Sequence, residues 1–279
     1  MARCARQGCR RWRPDVLVRF SAGLQTEEGW YCSRSCLQTS VEERLEQLVR
    51  AGSAPLVPTT RVRLGALLVA GDAKLPPSTL AAALDAQRAS GRRLGAELLE
   101  MGAVTVSALL HALAKQANTK CLTAIDPAVA AHGHGGLSRE MVRALGLVPF
   151  AADHERRTLK VAYAAPLPRV ALAALRELTD WAAEPYLVSD AVFGLLREAY
   201  GPGTAEDRPQ HGAAAGSRRD GLNRIAQLAE RHYPARISHA RLDSHLWVRV
   251  QAPGHVDDVL VSVADFEEDG IWQTAPTLH

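Results

Sequence analysis

Aromatic side chains make up only 5% of this 279-residue chain, so alanine and leucine must fill most of any helical core. Lysine stops at Lys160, and no Gly-x-x-x-x-Gly-Lys-Ser/Thr loop occurs anywhere. That excludes the backbone cradle of a P-loop nucleotidase. No run of 18 apolar residues exists, so no membrane span is expected. The first residues, Met1-Ala2-Arg3-Cys4, lack the apolar stretch of a secretory leader, and a cytoplasmic protein is expected. A net charge of +3 is too small to argue for nucleic acid as a partner. No nucleophile–base pairing rises above chance, so the chain is expected not to be an enzyme.

The positive charge is unevenly spread. Residues 1–51 carry nine Lys/Arg against six Asp/Glu, residues 61–117 seven against four, and residues 118–279 seventeen against twenty. A mildly basic middle suits a small anionic ligand, and a solvated helical surface equally well.

Four of the five cysteines fall in two close pairs, Cys4-x4-Cys9 and Cys32-x3-Cys36. In a reducing compartment such pairs read as metal ligands rather than disulfides. Four thiolates make a tetrahedral structural zinc site with no open position for catalysis. The run Trp30-Tyr31-Cys32-Ser33-Arg34-Ser35-Cys36 resembles the knuckle and helix of treble-clef zinc fingers. Residues 1–38 hold so few apolar side chains that folding without metal is not expected. Arg6, Arg10, Arg11 and Arg13 beside the cysteines suit solvent better than nucleic acid. Cys121 reads as a lone buried thiol, and His132 and His134 as part of a plain loop. His239 and His245 have no matching ligand spacing.

The chain reads as an α+β multidomain protein. A small Cys4 zinc finger plus helix spans 1–51, with Ser40 and Glu43 as the capping box of that helix and Gly52 its end. Residues 52–60 read as a linker, with Pro55 and Pro58 stopping any helix. A helical repeat follows over 61–117, and a small α/β subdomain over 118–200, where Ser138 and Gly146 bound a helix and Leu159, Val161 and Tyr163 alternate as a strand. Residues 201–218 read as a flexible linker. A small α+β unit over 219–279 has a helix capped by Asp220 and strand-like runs at 237–242, 246–250 and 259–263; its role is not legible.

The repeat is a duplicated pattern. The second copy runs Arg93-Leu94-Gly95 to Gly102, then Leu109, Leu113 and Gln116; the first runs Arg63-Leu64-Gly65 to Leu80, Leu84 and Gln87. Five residues separate them, and four helices are expected, with Thr105 and Pro76-Pro77 opening the longer ones. Leu109, Leu113 and Gln116 share one helix face, as do Leu80, Leu84 and Gln87. Two leucines ending in an amide can meet a flat heteroaromatic, and an arginine can stack on a purine or fork onto phosphate. The same stripe serves equally as the packing face of a helical hairpin. A glycine inside a helix costs about 0.5–1 kcal/mol relative to alanine, so Gly65 and Gly95 imply a close approach by a helix or a ligand.

This doubled motif resembles the N-terminal domain of type II secretion and type IV pilus assembly ATPases, the MshEN type. Leu147-Val148-Pro149-Phe150, Leu159-Lys160-Val161-Ala162, Pro166-Leu167 and Ala199-Tyr200-Gly201 extend the likeness over residues 61–201. The resemblance implies recognition of cyclic di-GMP, one copy serving each half of the dinucleotide. By that resemblance the ligand-binding residues are Arg63, Leu64, Gly65, Leu80, Leu84 and Gln87 in the first copy, and Arg93, Leu94, Gly95, Leu109, Leu113 and Gln116 in the second. The first copy is one residue longer, beside Asp72, so the second is the one that matches at every position. With no ATPase loop, a cyclic di-GMP-binding regulatory module with a structural zinc is expected, and a secretion or pilus machinery protein as its partner. The alternative is a ligand-free docking adaptor for such a system.

Overall fold

Helices form where the leucine and alanine periodicity is bounded by caps, and strands where β-branched and aromatic residues alternate. The computed structural model describes residues 1–14, 23–52, 62–71, 73–132, 135–201, 211–232 and 234–267. Asp72, His134, residues 53–60 of the first expected linker and 202–210 of the second lie outside the described residues. The protein mixes helices with several small sheets. No described helix is long and apolar enough to cross a membrane.

The chain opens with two small hairpins, β1 (Ala2–Arg3) with β2 (Trp12–Arg13) and β3 (Leu24–Thr26) with β4 (Gly29–Tyr31), and then α1 (Arg34–Ala51). Helix α1 begins six residues before the expected Ser40 cap. Ser33 caps it instead, its hydroxyl accepting from the Cys36 N–H at 3.2 Å. Ser40 lies buried in mid-helix, where its hydroxyl meets the Tyr31 hydroxyl at 3.3 Å. A buried partner thus outcompetes the local capping box. The helix ends at Gly52 as expected, with φ of 68°.

The repeat forms four helices: α2 (Leu64–Ala70), α3 (Pro77–Ser90), α4 (Leu94–Glu100) and α5 (Val106–Ala117). Arg63 and Arg93 take the N-cap positions, so the short helices start one residue later than expected. Packing between the copies is reciprocal. Helix α2 lies mainly on α5, and α3 on α4. Gln87 donates to the carbonyl of Arg92 at 3.0 Å, and Gln116 to the carbonyl of Val62 at 2.7 Å. Each glutamine therefore clasps the residue just ahead of the other copy's arginine. The core repeats too, pairing Leu68 with Leu98, Leu75 with Val104 and Ala83 with Ala112.

The glycines have the expected close neighbour. A Cβ on Gly65 would meet Leu80 at 3.0 Å, and one on Gly95 would meet Leu109 at 3.1 Å. These contacts match although one more residue separates Gly65 from Leu80 than Gly95 from Leu109. The extra residue is taken up between α2 and α3, leaving both helix pairs in the same arrangement.

Next comes an α/β layer: β5 (Lys120–Cys121), α6 (Arg139–Leu145), β6 (Val148–Asp153), β7 (Thr158–Tyr163), α7 (Arg169–Thr179), β8 (Ala182–Leu187) and α8 (Asp190–Ala199). Its sheet order is β5-β8-β7-β6, with β5, β8 and β7 parallel and β6 antiparallel at the edge. Ser138 and Ser189 cap α6 and α8 through their hydroxyls.

The last unit holds β9 (His211–Ala214), α9 (Arg218–Arg231), β10 (Arg236–Arg241), β11 (His245–Ala252), β12 (His255–Ser262) and the short α10 (Ala264–Glu267). Two expectations change here. Strand β9 pairs in parallel with β12 inside the stretch read as a linker, and Ser217, not Asp220, caps α9. Strands β11 and β12 of the β10-β11-β12-β9 sheet are buried on both faces along most of their length. Leu246, Val248, Val250, Val259 and Val261 share a core with α9, Leu37, Val41 and Leu45 of α1, and Cys4 and Cys36. Trp247, Ala240, Leu242 and Leu260 join the core of the α/β layer instead. The cysteine-bearing start and the last unit therefore form one body. Arg218 reaches Glu42 and Glu46, and Arg241 donates to the carbonyls of Leu48 and Val49 at the end of α1. That places a cation where the helix dipole is negative.

Candidate functional site

A cleft of about 560 Å³ opens between the second repeat copy and the α/β layer. One wall comes from α4 and α5: Arg93, Leu94, Gly95, Leu109, Leu113 and Gln116 all line it, joined by Leu64 of the first copy. The opposite wall follows the carboxyl ends of β7 and β8, from Tyr163 to Leu167 and from Leu187 to Asp190, and includes the cis Ala165–Pro166 peptide. Crevices at the carboxyl ends of parallel strands are where open α/β sheets bind ligands. The lining is mostly apolar with few polar groups, and its size suits a small-molecule site.

The placement of the motif residues is asymmetric. All six from the second copy reach the cleft, whereas Arg63, Gly65, Leu80, Leu84 and Gln87 do not line it. An adjoining depression of about 620 Å³ shares Gln116, Ala117 and Leu167 with the cleft and carries Lys115 and Arg169. The Nε of Arg169 is buried without a hydrogen-bond partner. Cations for an anionic ligand are thus present on both sides of Gln116. That amide donates to the carbonyl of Val62 through its nitrogen.

The second feature is the cysteine cluster. Hairpin β1–β2 brings in Cys4 and Cys9, and the turn from β4 into α1 brings in Cys32 and Cys36. One sulfur from each lies within 4.8 Å of the others. The Cys9–Cys32, Cys32–Cys36 and Cys9–Cys36 sulfurs are 3.8, 3.4 and 3.9 Å apart. A tetrahedron of Zn–S bonds near 2.3 Å has edges of about 3.8 Å, so the four thiols fit such an ion. Burial pushes the Cys32 thiol up to about 12, with Cys36 and Cys9 adding to the shift. Burial also opposes ionisation of Cys36, but the Ser33 hydroxyl and the Cys32 thiol outweigh it and hold that group at about 7.

The other candidates separate from these sites. Cys121 is half-buried on β5, with burial raising its pKa. His132 is exposed. Burial and the Arg44 cation lower the pKa of His239, and the His245 ring lies 2.8 Å from the Ser244 hydroxyl.

Sequence reasoning missed a buried polar network in the last sheet. Arg249 and Asp258, register partners on β11 and β12, form a bidentate pair at 2.8 Å, 4% and 0% exposed. Trp247 Nε1 donates to the same carboxylate at 2.7 Å, and Arg249 also reaches the carbonyl of Leu178 on α7. Nearby, His232 lies 3.4 Å from the buried Asp257 and stacks on His255. Alternating charged residues in a strand read as a solvated face, so no local signal distinguishes these.

Comparison with family models and with curated proteins finds no match. Among solved structures, the chain is similar to one of MshE with cyclic di-GMP, at 28% identity and a TM-score of 0.40, over 50% of this chain and 99% of that chain. It is also similar to two structures of the N-terminal domain of XpsE, at 20% and 22% identity. Their TM-scores are 0.33 and 0.27, over 50% and 48% of this chain and 94% and 91% of those chains.

Proposed function

We propose that this chain is a non-catalytic regulatory module that binds cyclic di-GMP in the cleft between the second repeat copy and the α/β layer. The observation that supports this most is convergence: seven motif residues separated in sequence line one cleft, with Arg93 and Gln116 beside a leucine wall. Leu109 and Leu113 offer apolar surface to a guanine ring. Arg93 supplies a fork for phosphate or a plane for stacking. Lys115 and Arg169 in the adjoining depression offset further phosphate charge. The ligand-bound cleft then presents a different surface to a secretion or pilus partner. Zinc, held by Cys4, Cys9, Cys32 and Cys36, has a structural role.

Calorimetric titration with cyclic di-GMP tests the proposal. Ligand at about 100 times its Kd stabilises a protein by roughly 2.7 kcal/mol, so thermal unfolding gives an independent reading. Neither heat nor stabilisation at ligand concentrations of about 100 times a micromolar Kd sinks it. Arg93→Ala is expected to weaken binding about 10- to 100-fold, the loss of a charge-assisted bond. Gln116→Ala is expected to weaken it as well, and Arg63→Ala, outside the cleft, to change it little. A partner captured through residues 61–200 with no response to cyclic di-GMP favours a docking adaptor instead.

A further inference from the structure

Among the described residues, two charged side chains of the cleft stand outside its internal hydrogen bonds. Gln116 gives its amide to Val62, the Tyr163 hydroxyl is shared with Thr119 at 2.6 Å, and Ser189 accepts from the Val192 N–H. Arg93 stands on the helical wall and Asp190 on the α/β wall, at the first residue of α8. Among the described residues they are the one cation and the one carboxylate of the lining, and neither makes an ion pair.

A free carboxylate is a poor feature in a cleft meant for phosphate alone, because it repels the anion. Its presence fits a ligand that brings adjacent hydrogen-bond donors as well as negative charge. Guanine has such an edge, with its ring N1–H beside its exocyclic amino group, and a carboxylate accepts both at once. Adenine presents a ring nitrogen lone pair there, which repels a carboxylate, next to a single amino group.

We propose that Asp190 reads the base, selecting guanine over adenine, while Arg93 faces the phosphate side of the same nucleotide. This rests on the cyclic dinucleotide reading of the cleft and adds to it a specificity-determining residue outside the repeat. Asparagine at the same position reverses the logic, since its amide donates to the adenine ring nitrogen and accepts from the adenine amino group.

The test is calorimetry on the full chain and on Asp190→Asn, each titrated with cyclic di-GMP and with cyclic di-AMP. A well-placed bidentate base contact discriminates by about 10- to 100-fold. The wild type is expected to prefer cyclic di-GMP by that factor. Asp190→Asn is expected to lose affinity for cyclic di-GMP by at least about tenfold and to gain affinity for cyclic di-AMP. Because Asp190 is exposed, unfolding temperature should barely change, which checks that the variant folds. A variant that keeps wild-type affinity and preference, or loses both ligands equally, overturns the role of Asp190 while leaving the cleft reading intact. A wild type that binds neither ligand overturns both.

Discussion

Replacing Cys36 with serine is expected to release one zinc ion per chain and to unfold both ends of the molecule together. Structural zinc in small Cys-rich modules contributes apparent binding energies of about 10–16 kcal/mol, most of it expressed as folding. Here the cysteines are not isolated in a finger of their own. Cys4 and Cys36 sit in the same core as Leu37, Leu45, Ile225, Val248 and Val261. Loss of metal therefore removes support from the β10-β11-β12-β9 sheet and from α9 as well as from α1. Zinc content by elemental analysis should fall from one ion per chain to none. Hydrogen exchange should then accelerate over residues 23–52 and 218–262, with the repeat helices over 64–117 staying protected. Accelerated exchange confined to residues 1–52 would show that the two ends fold independently.

Arg249→Ala is expected to cost roughly 3–5 kcal/mol, because it leaves a carboxylate buried and uncompensated. Asp258 is fully buried, and its remaining donor is Trp247 Nε1. Replacing both charges with apolar residues is often neutral or better in buried pairs, so Arg249→Met with Asp258→Leu should recover much of the loss. Recovery should not be complete. The indole N–H then has no acceptor, and an unsatisfied buried donor costs about 1–3 kcal/mol. Chemical denaturation of the two single variants and the pair gives the coupling directly. Single substitutions that each cost under about 0.5 kcal/mol, the range of ordinary surface changes, are incompatible with this network holding the sheet.

What could be read from the sequence follows the range over which each signal acts. Thr105 and Ser138 cap their helices as expected because a cap is decided within three residues. The cysteine pairs were legible for the same reason. Ser40 misled because its true partner, Tyr31, lies across a tertiary contact. Strand β9 carries no alternation of its own and exists only by pairing with β12, far along the chain. The leucine stripe of the second copy announced one wall of the cleft. The other wall comes from the ends of β7 and β8, whose residues share no motif with it. For the same reason nothing near Asp190 marked it, and nothing in the first copy warned that Arg63, Leu80 and Leu84 would lie elsewhere.

The reciprocal clasp of Gln87 and Gln116 makes the repeat, in effect, a homodimer written into one chain. Each copy supplies a helix and an amide that the other needs, so one copy alone is half an interface. Two separate copies would have to find each other in solution, and their assembly would depend on concentration. The five-residue spacer replaces that encounter with an effective concentration in the millimolar range, so assembly holds at any dilution. It also removes the requirement that the halves stay identical. Once joined, the halves were free to diverge: the second copy's motif lines the cleft against the α/β layer, and of the first copy's motif only Leu64 reaches it among the described residues.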